Sequence, residues 1–422
     1  RASAVLAQAS ILAPDHPDLL HLRGLAALAS GDAERACAWL RRAVAVAPMM
    51  APAWNNLGVA LRAAGAPDEA IGAHRRALAT KPDYVSAHAN LAACLSDVGD
   101  YRGAADEYDS ALRCGARDAD THENLAKALF FTGRSGAAWA AYRGRSARPV
   151  PAPLQPWPAD LSGRALVLRG EQGIGDQIFF LRFAPAAIAR GARVQLATDA
   201  RLGPMLARAG LGGDGAESPM DMAESVAVGD LPWLLGCGDD ARPSPLRIPA
   251  LARCVASVQA RLQGLPRPWV GIAWQAGGVA GGKNTTKSVP PDRLGDALKG
   301  VAGSMISVQR QPTPGAHAAC EAGLGRSISD FGDCNADLEV MLALMACLDG
   351  YVGVSSANLH LRCASGQGSD VLVPYPPDWR WAGDPGGRAP WYPDCVAYRQ
   401  DRGQDWQAPL RALSRALSAR WQ

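Results

Sequence analysis

The stretch "GEQGIGDQIFFLRFAPAA" opens at residue 170, directly after the apolar run "RALVLR". Gly173 and Gly175 permit a tight turn and a close backbone approach. Asp176 falls at or just inside the start of the helix that the following periodicity predicts over "QIFFLRFAPAAIA". A carboxylate there can cap the helix, and the position, where a strand ends and a helix begins, suits an anion or a reacting hydroxyl. Neither the dinucleotide G-x-G-x-x-G spacing nor a Walker loop is present. A second segment, "QAGGVAGGKNTTKSVPPDRL", begins at Gln275 and carries Lys283 and Lys287. Their ammonium groups could neutralise a diphosphate, or they belong to a solvated loop. A third, "GYVGVSSANLHLRCAS", reads as a strand ending at Val354 and a helix starting at Ser355 or Ser356. Free backbone N–H groups at such a start suit phosphate. Ser355, Ser356 and Asn358 add neutral donors there, and His360 either orients the loop or touches a ligand.

These residues need elements to hold them, and the bulk composition allows sizeable cores. The chain has 422 residues, 48% of them apolar, enough for two or three domains. The formal charge is +3 with no dense basic run, which excludes a nucleic-acid reader. No apolar stretch approaches a bilayer span. The ten cysteines form no C-x-x-C pair and no metal-ligand spacing, so reduced thiols in a cytoplasmic protein are expected, with no metal. The opening residues already read as helix rather than as a signal peptide, so the sequence is expected to begin inside a longer chain.

Residues 17–50, 51–84 and 85–118 align at a period of 34, and a fourth block starts at 119 and fades near 145. Small residues recur in register at Gly24, Gly58, Ala92 and Ala126, and at Ala36, Ala70, Ala104 and Ala138. A third series is Ala43, Ala77 and Ala111, while Leu57, Leu91 and Leu125 fill the seam. Small side chains let paired helices approach, and stacking buries faces that one repeat alone leaves exposed. The pattern resembles the tetratricopeptide repeat. Residues 1–16 then read as the second helix of a preceding repeat. Asn56, Asn90 and Asn124 share one register on the first helix, which lines the concave face in this fold; the first repeat has Leu22 there. They are either tolerated polar residues or a ladder of amides for an extended peptide. The array of O-GlcNAc transferase is similar in carrying such a ladder.

Residues 149–160 hold five prolines and read as a stiff linker. Beyond it, short apolar runs alternate with amphipathic ones. Strands are predicted near 164–169, 193–198, 225–228, 269–274, 304–308, 351–354 and 370–373, with helices between several of them, which implies parallel sheets. The predicted organisation is a helical solenoid at 1–148, the linker at 149–160 and a Rossmann-like lobe at 161–243. A connection at 244–268, a second such lobe at 269–403 and a final helix at 404–422 follow. The overall class is α followed by α/β.

The segments "EQGIGDQIFFLRFAPAA", "GVSSANLHLRCAS" and "PYPPDWRW" with "PWYPD" together resemble the heptosyltransferase-like glycosyltransferases, over about residues 160–400. That resemblance implies a GT-B fold and inverting transfer from a nucleotide-sugar co-substrate, without metal or other cofactor. It implies that Asp176 is the catalytic base. It also implies that Gly173, Gly175, Gln275, Lys283, Lys287, Gln309, Ser355, Ser356, Asn358 and His360 surround the donor. The family's Asp-Thr pair is Ser355-Ser356 here, which leaves the donor open. Relatives fused to repeats include protein glycosyltransferases, some acting on flagellin, so the implied acceptor is a protein Ser or Thr recruited through Asn56, Asn90 and Asn124. A lipid-linked or polysaccharide acceptor, and a non-catalytic adaptor with a degenerate transferase domain, remain the alternatives.

Overall fold

In a computed structural model the described residues are 13–146, 149–151, 155–212, 223–276, 287–383 and 388–421. The chain divides into two compact units, Arg1–Ser146 and Ala147–Gln422.

The first unit is an array of helical hairpins. Its helices are α1 (Pro17–Ala29), α2 (Ala33–Val46), α3 (Ala51–Ala63), α4 (Pro67–Thr80), α5 (Val85–Asp97), α6 (Tyr101–Arg113), α7 (Ala119–Phe131) and α8 (Ser135–Tyr142). The predicted small-residue series is the seam. Ala36, Ala70, Ala104 and Ala138 are fully buried, as are Ala43, Ala77 and Ala111. A side chain on Gly58 would collide with the His74 ring, and one on Gly24 with Leu40. The turn inside each hairpin carries a glycine in the left-handed region: Gly31, Gly65, Gly99 and Gly133, with φ between 75° and 79°. Nothing crowds Gly31, Gly65 or Gly133, so backbone conformation alone asks for glycine there. Asp32, Asp100 and Asp118 cap α2, α6 and α7 by accepting from N–H groups three residues on.

The second unit is built on two sheets. The smaller is parallel and ordered β2-β1-β3, from β1 (Ala165–Arg169), β2 (Arg193–Ala197) and β3 (Glu224–Ala227). The helices α9 (Ile174–Leu181) and α10 (Ala184–Ala189) join β1 to β2, and α11 (Gly203–Arg208) lies before β3. The single helix expected over 177–189 is thus two, and α9 begins three residues earlier. Pro185 supplies the reason for the break: lacking an N–H, it is at home in the first turn of a new helix. A short turn, α12 (Leu231–Leu234), follows β3.

The larger sheet is ordered β6-β5-β4-β7-β8-β10-β9. Its strands are β4 (Trp269–Ala273), β5 (Ser304–Ser307), β6 (Ser329–Asp330), β7 (Gly350–Val354), β8 (Ser369–Val373), β9 (Arg388–Ala389) and β10 (Tyr392–Arg399). All neighbours pair in parallel except β9 with β10. The strands β4, β7 and β8 are buried along their whole length, as expected where helices cover both faces. Those helices are α13 (Ala252–Leu262), α14 (Pro291–Leu298), α15 (Ala316–Leu324), α16 (Leu338–Cys347), α17 (Ala357–Ala364) and α18 (Gln407–Arg420). The last packs Leu410, Leu413 and Leu417 into the same core as Val270 and Val352. Its Arg420 is paired with Asp370, which also accepts from Tyr398 Oη.

The strands β6, β9 and β10 were not expected from sequence. Pro393 and Asp394 interrupt the β10 run, and its parallel pairing starts only at Cys395. The proline-rich segment is not wholly a free spacer. Trp157 is buried, its N–H donating to Leu234 O at 2.7 Å and its indole N–H to Glu224 at 3.4 Å. No helix among the described residues is long and apolar enough to cross a membrane.

Candidate functional site

The loop after β1 is fixed from both sides. Buried Glu171 accepts from Gly229 N–H at 2.7 Å, just past β3. Gln177 Oε1 accepts from Asp199 N–H at 3.0 Å, just past β2. Between them Gln172 adopts φ 57°, a left-handed conformation uncommon for its residue type. Gly173 caps α9, and Asp176 lies in the first turn. The Asp176 carboxylate is tied down twice. Its Oδ2 accepts from Gly173 N–H at 3.3 Å, and its Oδ1 accepts from Arg380 Nη2 at 2.6 Å.

The role of Gly175 is close packing. A Cβ there would stand 2.6 Å from His360 Cδ2 and 3.5 Å from the Ala357 backbone. The start of α9 therefore rests directly on the start of α17. His360 is buried and bonded through Nδ1 to Tyr392 Oη at 2.5 Å. Burial first, then the nearby Arg380 and Arg182, hold its ring well below the ordinary histidine range, so it is neutral. The contact is edged with aromatic rings. Phe179 meets Trp379 and Trp391 edge-on at 5.3 and 5.6 Å. Arg182 donates to Trp391 O and lies over Phe179 and Tyr392.

Beside this contact, at the carboxyl ends of β4, β5 and β7, lies a cavity of about 140 Å³. Its walls include Gln275, Arg310, Asn335, Ser356 and Asn358 from the larger sheet, with Ile174 and Arg201 from the smaller. Ser356 is the residue that caps α17, and its hydroxyl is buried with that of Tyr351 as a neighbour. The Asn358 amide donates to Val308 O at 3.2 Å and to Asn335 Oδ1 at 3.1 Å, which fastens the loops after β5 and β6 to α17. Arg201 is engaged by Asp199 at 2.7 Å. Gln311, next to Arg310, lines the cavity with a positive φ of 47°; such strain gathers at functional sites. The Arg310 guanidinium and a helix start make a place for an anion.

Of the residues singled out from sequence, the cavity gathers Gln275, Ser356 and Asn358. Gly173, Gly175, Ser355 and His360 do not line it, and Asp176 stands two residues beyond the Ile174 wall. Gln309 is corrected to a strap. Its Oε1 accepts from the Trp274 and Gln275 N–H groups, and its Nε2 donates to Gln275 O and Arg310 O, so the side chain is consumed. The Lys287 ammonium pairs with Asp378 at 3.3 Å. Burial pushes the Asp378 carboxyl up, but Arg380 and Lys287 more than offset this and hold it below the usual carboxylate range. Lys283 lies outside the described residues. Sequence reasoning missed Arg201, Arg310, Asn335 and Arg380. An arginine in a bend after a strand looks like any surface arginine until its neighbours are known.

In the repeat unit, Asn56, Asn90 and Asn124 are each half-buried, but two of them bond along the array. Asn56 Nδ2 donates to His21 Nε2 at 2.7 Å, and Asn90 Nδ2 donates to Asn55 Oδ1 at 3.0 Å. Asn55 in turn donates to Asn56 Oδ1 at 3.4 Å. Burial lowers the His21 ring, with Asp18 opposing, which favours the neutral form that can accept. Asn124 accepts from Lys127 at 3.3 Å. An amide has two donor hydrogens and an oxygen with two lone pairs, so each side chain retains capacity.

Residues 22–85 and 61–129 match tetratricopeptide-repeat families, so the first unit carries such repeats. Protein FlbA of Caulobacter vibrioides is 25% identical over 335 residues, which is 68% of this chain and 53% of that protein. The chain thus spans about half the length of the curated relative it matches. Because the first unit ends at Ser146, the match extends well into the second. Among solved structures, that of MamA shares 19% identity at a TM-score of 0.32, over 33% of this chain and 81% of its own. The Sgt2 TPR domain from Aspergillus fumigatus shares 24% identity at 0.26, over 26% and 76%.

Proposed function

We propose that the second unit is an inverting glycosyltransferase of GT-B architecture, and that the repeats recruit its protein acceptor. The observation that carries this reading is the start of α17, with Ser356 as its cap, at a cavity that Arg310 and Arg201 also line. That set suits the diphosphate of a nucleotide-sugar. A sugar extending from the cavity past Ile174 meets Asp176. There the acceptor hydroxyl gives its proton to the Asp176 carboxylate while its oxygen bonds to the anomeric carbon. The bond from that carbon to the phosphate oxygen breaks, and its electron pair leaves on the nucleoside diphosphate. Arg310, Ser356 and the α17 N–H groups stabilise that charge. A positioned base contributes roughly 10²–10⁴ in rate.

The test is a panel of UDP-, GDP-, ADP- and CMP-sugars, read first by thermal shift and then by nucleotide release. One donor should stabilise the wild-type chain, by about 2.7 kcal/mol at a hundredfold excess over Kd. Ser356→Ala should weaken that binding. Asp176→Asn should bind the donor and lose about 10²-fold or more in turnover. Undiminished turnover by Asp176→Asn, or no stabilisation by any donor, refutes the reading.

A further inference from the structure

Arg380 is held by two carboxylates and two aromatic rings. It follows Asp378, whose carboxylate accepts both its backbone N–H at 3.0 Å and its Nη1 at 3.1 Å. Its guanidinium carbon lies 4.6 Å from the Trp379 ring centroid and 4.9 Å from that of Phe179. Its side chain is only 8% exposed. From this seat Nη2 reaches Asp176 Oδ1 at 2.6 Å. Lys287 completes the set through Asp378. Its own backbone is pinned by a bridge, with Ala276 N–H donating to Lys287 O at 3.0 Å and Val289 N–H to Trp274 O at 2.8 Å. Two carboxylates and two cations thus form a charge-balanced line, Lys287–Asp378–Arg380–Asp176. Three members sit on segments of the larger sheet, and Asp176 alone belongs to the smaller.

We propose that Arg380 is the positioning residue of Asp176. By taking Oδ1 it fixes the rotamer and leaves Oδ2, beside the Gly173 N–H, as the oxygen that receives the proton. A planar guanidinium can serve two carboxylates through different nitrogens at once. A lysine ammonium is a compact point charge without that fork. The aromatic faces and Asp378 keep Arg380 from following Asp176 if the carboxylate turns. This inference rests on the reading of Asp176 as the base.

The experiment compares Arg380→Met, Arg380→Lys and Asp378→Asn with the wild-type full chain. Kinetics use whichever sugar nucleotide of the panel the wild type turns over. Arg380→Met should lower kcat by ~10²-fold, the cost of misplacing a reacting group by about 1 Å, with the donor KM changed less than about twofold. Arg380→Lys should restore only part of the loss, and Asp378→Asn should fall between. A crystal structure of Arg380→Met should show the Asp176 carboxylate turned away from the Gly173 N–H. A kcat within about twofold of wild type, or Asp176 unmoved in the crystal, overturns the inference. Should Arg380→Met not fold, Arg380→Lys and Asp378→Asn carry both measurements. If the wild type turns over no sugar nucleotide, the transferase reading fails, while the Asp176 rotamer in the variant crystals still decides the positioning.

Discussion

His74 provides a quantitative test of how the repeats are packed. Its ring lies in the α3–α4 hairpin against Gly58, fully buried, and neither ring nitrogen has a hydrogen-bond partner. Burial first, with Arg62 adding, pulls the imidazole down to about 4 from 6.5. Above pH 6.5 the ring is neutral whether the repeat is closed or open, and the hairpin has its full stability. Between pH 6.5 and about 4 the opened repeat binds a proton that the closed one refuses, so stability falls as the pH falls. At about 1.4 kcal/mol per pH unit the total loss is about 3 kcal/mol, complete below pH 4. His74→Leu removes the titration. It also removes two stranded polar atoms, each costing about 1–3 kcal/mol when buried unpaired. The variant should therefore be more stable than wild type even at pH 7. Hydrogen exchange of the α3 and α4 peptides in the full chain, corrected for intrinsic rates, measures the local opening free energy at each pH. An equal pH slope in wild type and His74→Leu, or a variant destabilised at pH 7, would refute the reasoning.

Two other substitutions probe the joint between the sheets and the floor beneath α17. Gly175→Ala drives a methyl into His360 and should cost about 1–3 kcal/mol, seen as a lower Tm that donor addition does not restore. Arg362 is buried, its acceptors being the Met345, Leu348 and Gly368 carbonyls, and burial brings its guanidinium down to about 10. Arg362→Met leaves those carbonyls without their donor and should lower the denaturation free energy by about 3 kcal/mol; a loss below about 1 kcal/mol would mean that water replaces the side chain.

What could be read in advance follows the range of the forces involved. The repeat period came from small residues whose burial recurs every 34 positions, and the structure buries those alanines completely. Strands such as β4, β7 and β8 are buried on both faces, so they are written as unbroken apolar runs. β10 hid behind Pro393 because local propensity and tertiary pairing disagree there. The placement of Asp176 near a helix start was also legible, since glycine and aspartate at that spacing are local geometry. Its partner was not: Arg380 lies 204 residues on. The same distance problem hides the partner of Lys287, a loop cation whose counterion is 91 residues away. Gln309 looked like a ligand contact because sequence shows a polar residue past a strand, not the four backbone groups that absorb it.

The rings around Phe179 have a mechanical consequence. They interlock where α9 meets α17, with Arg182 and Arg380 fastened through the same cluster. A second tie, the paired Arg208 and Glu339, spans α11 and α16. The aromatic cluster resists shear because its faces are keyed together, whereas an ion pair can let go without disturbing any packing. The two sheets are therefore joined by unlike ties, a keyed aromatic contact at Phe179 and a partly buried ion pair at Arg208 that salt screens little.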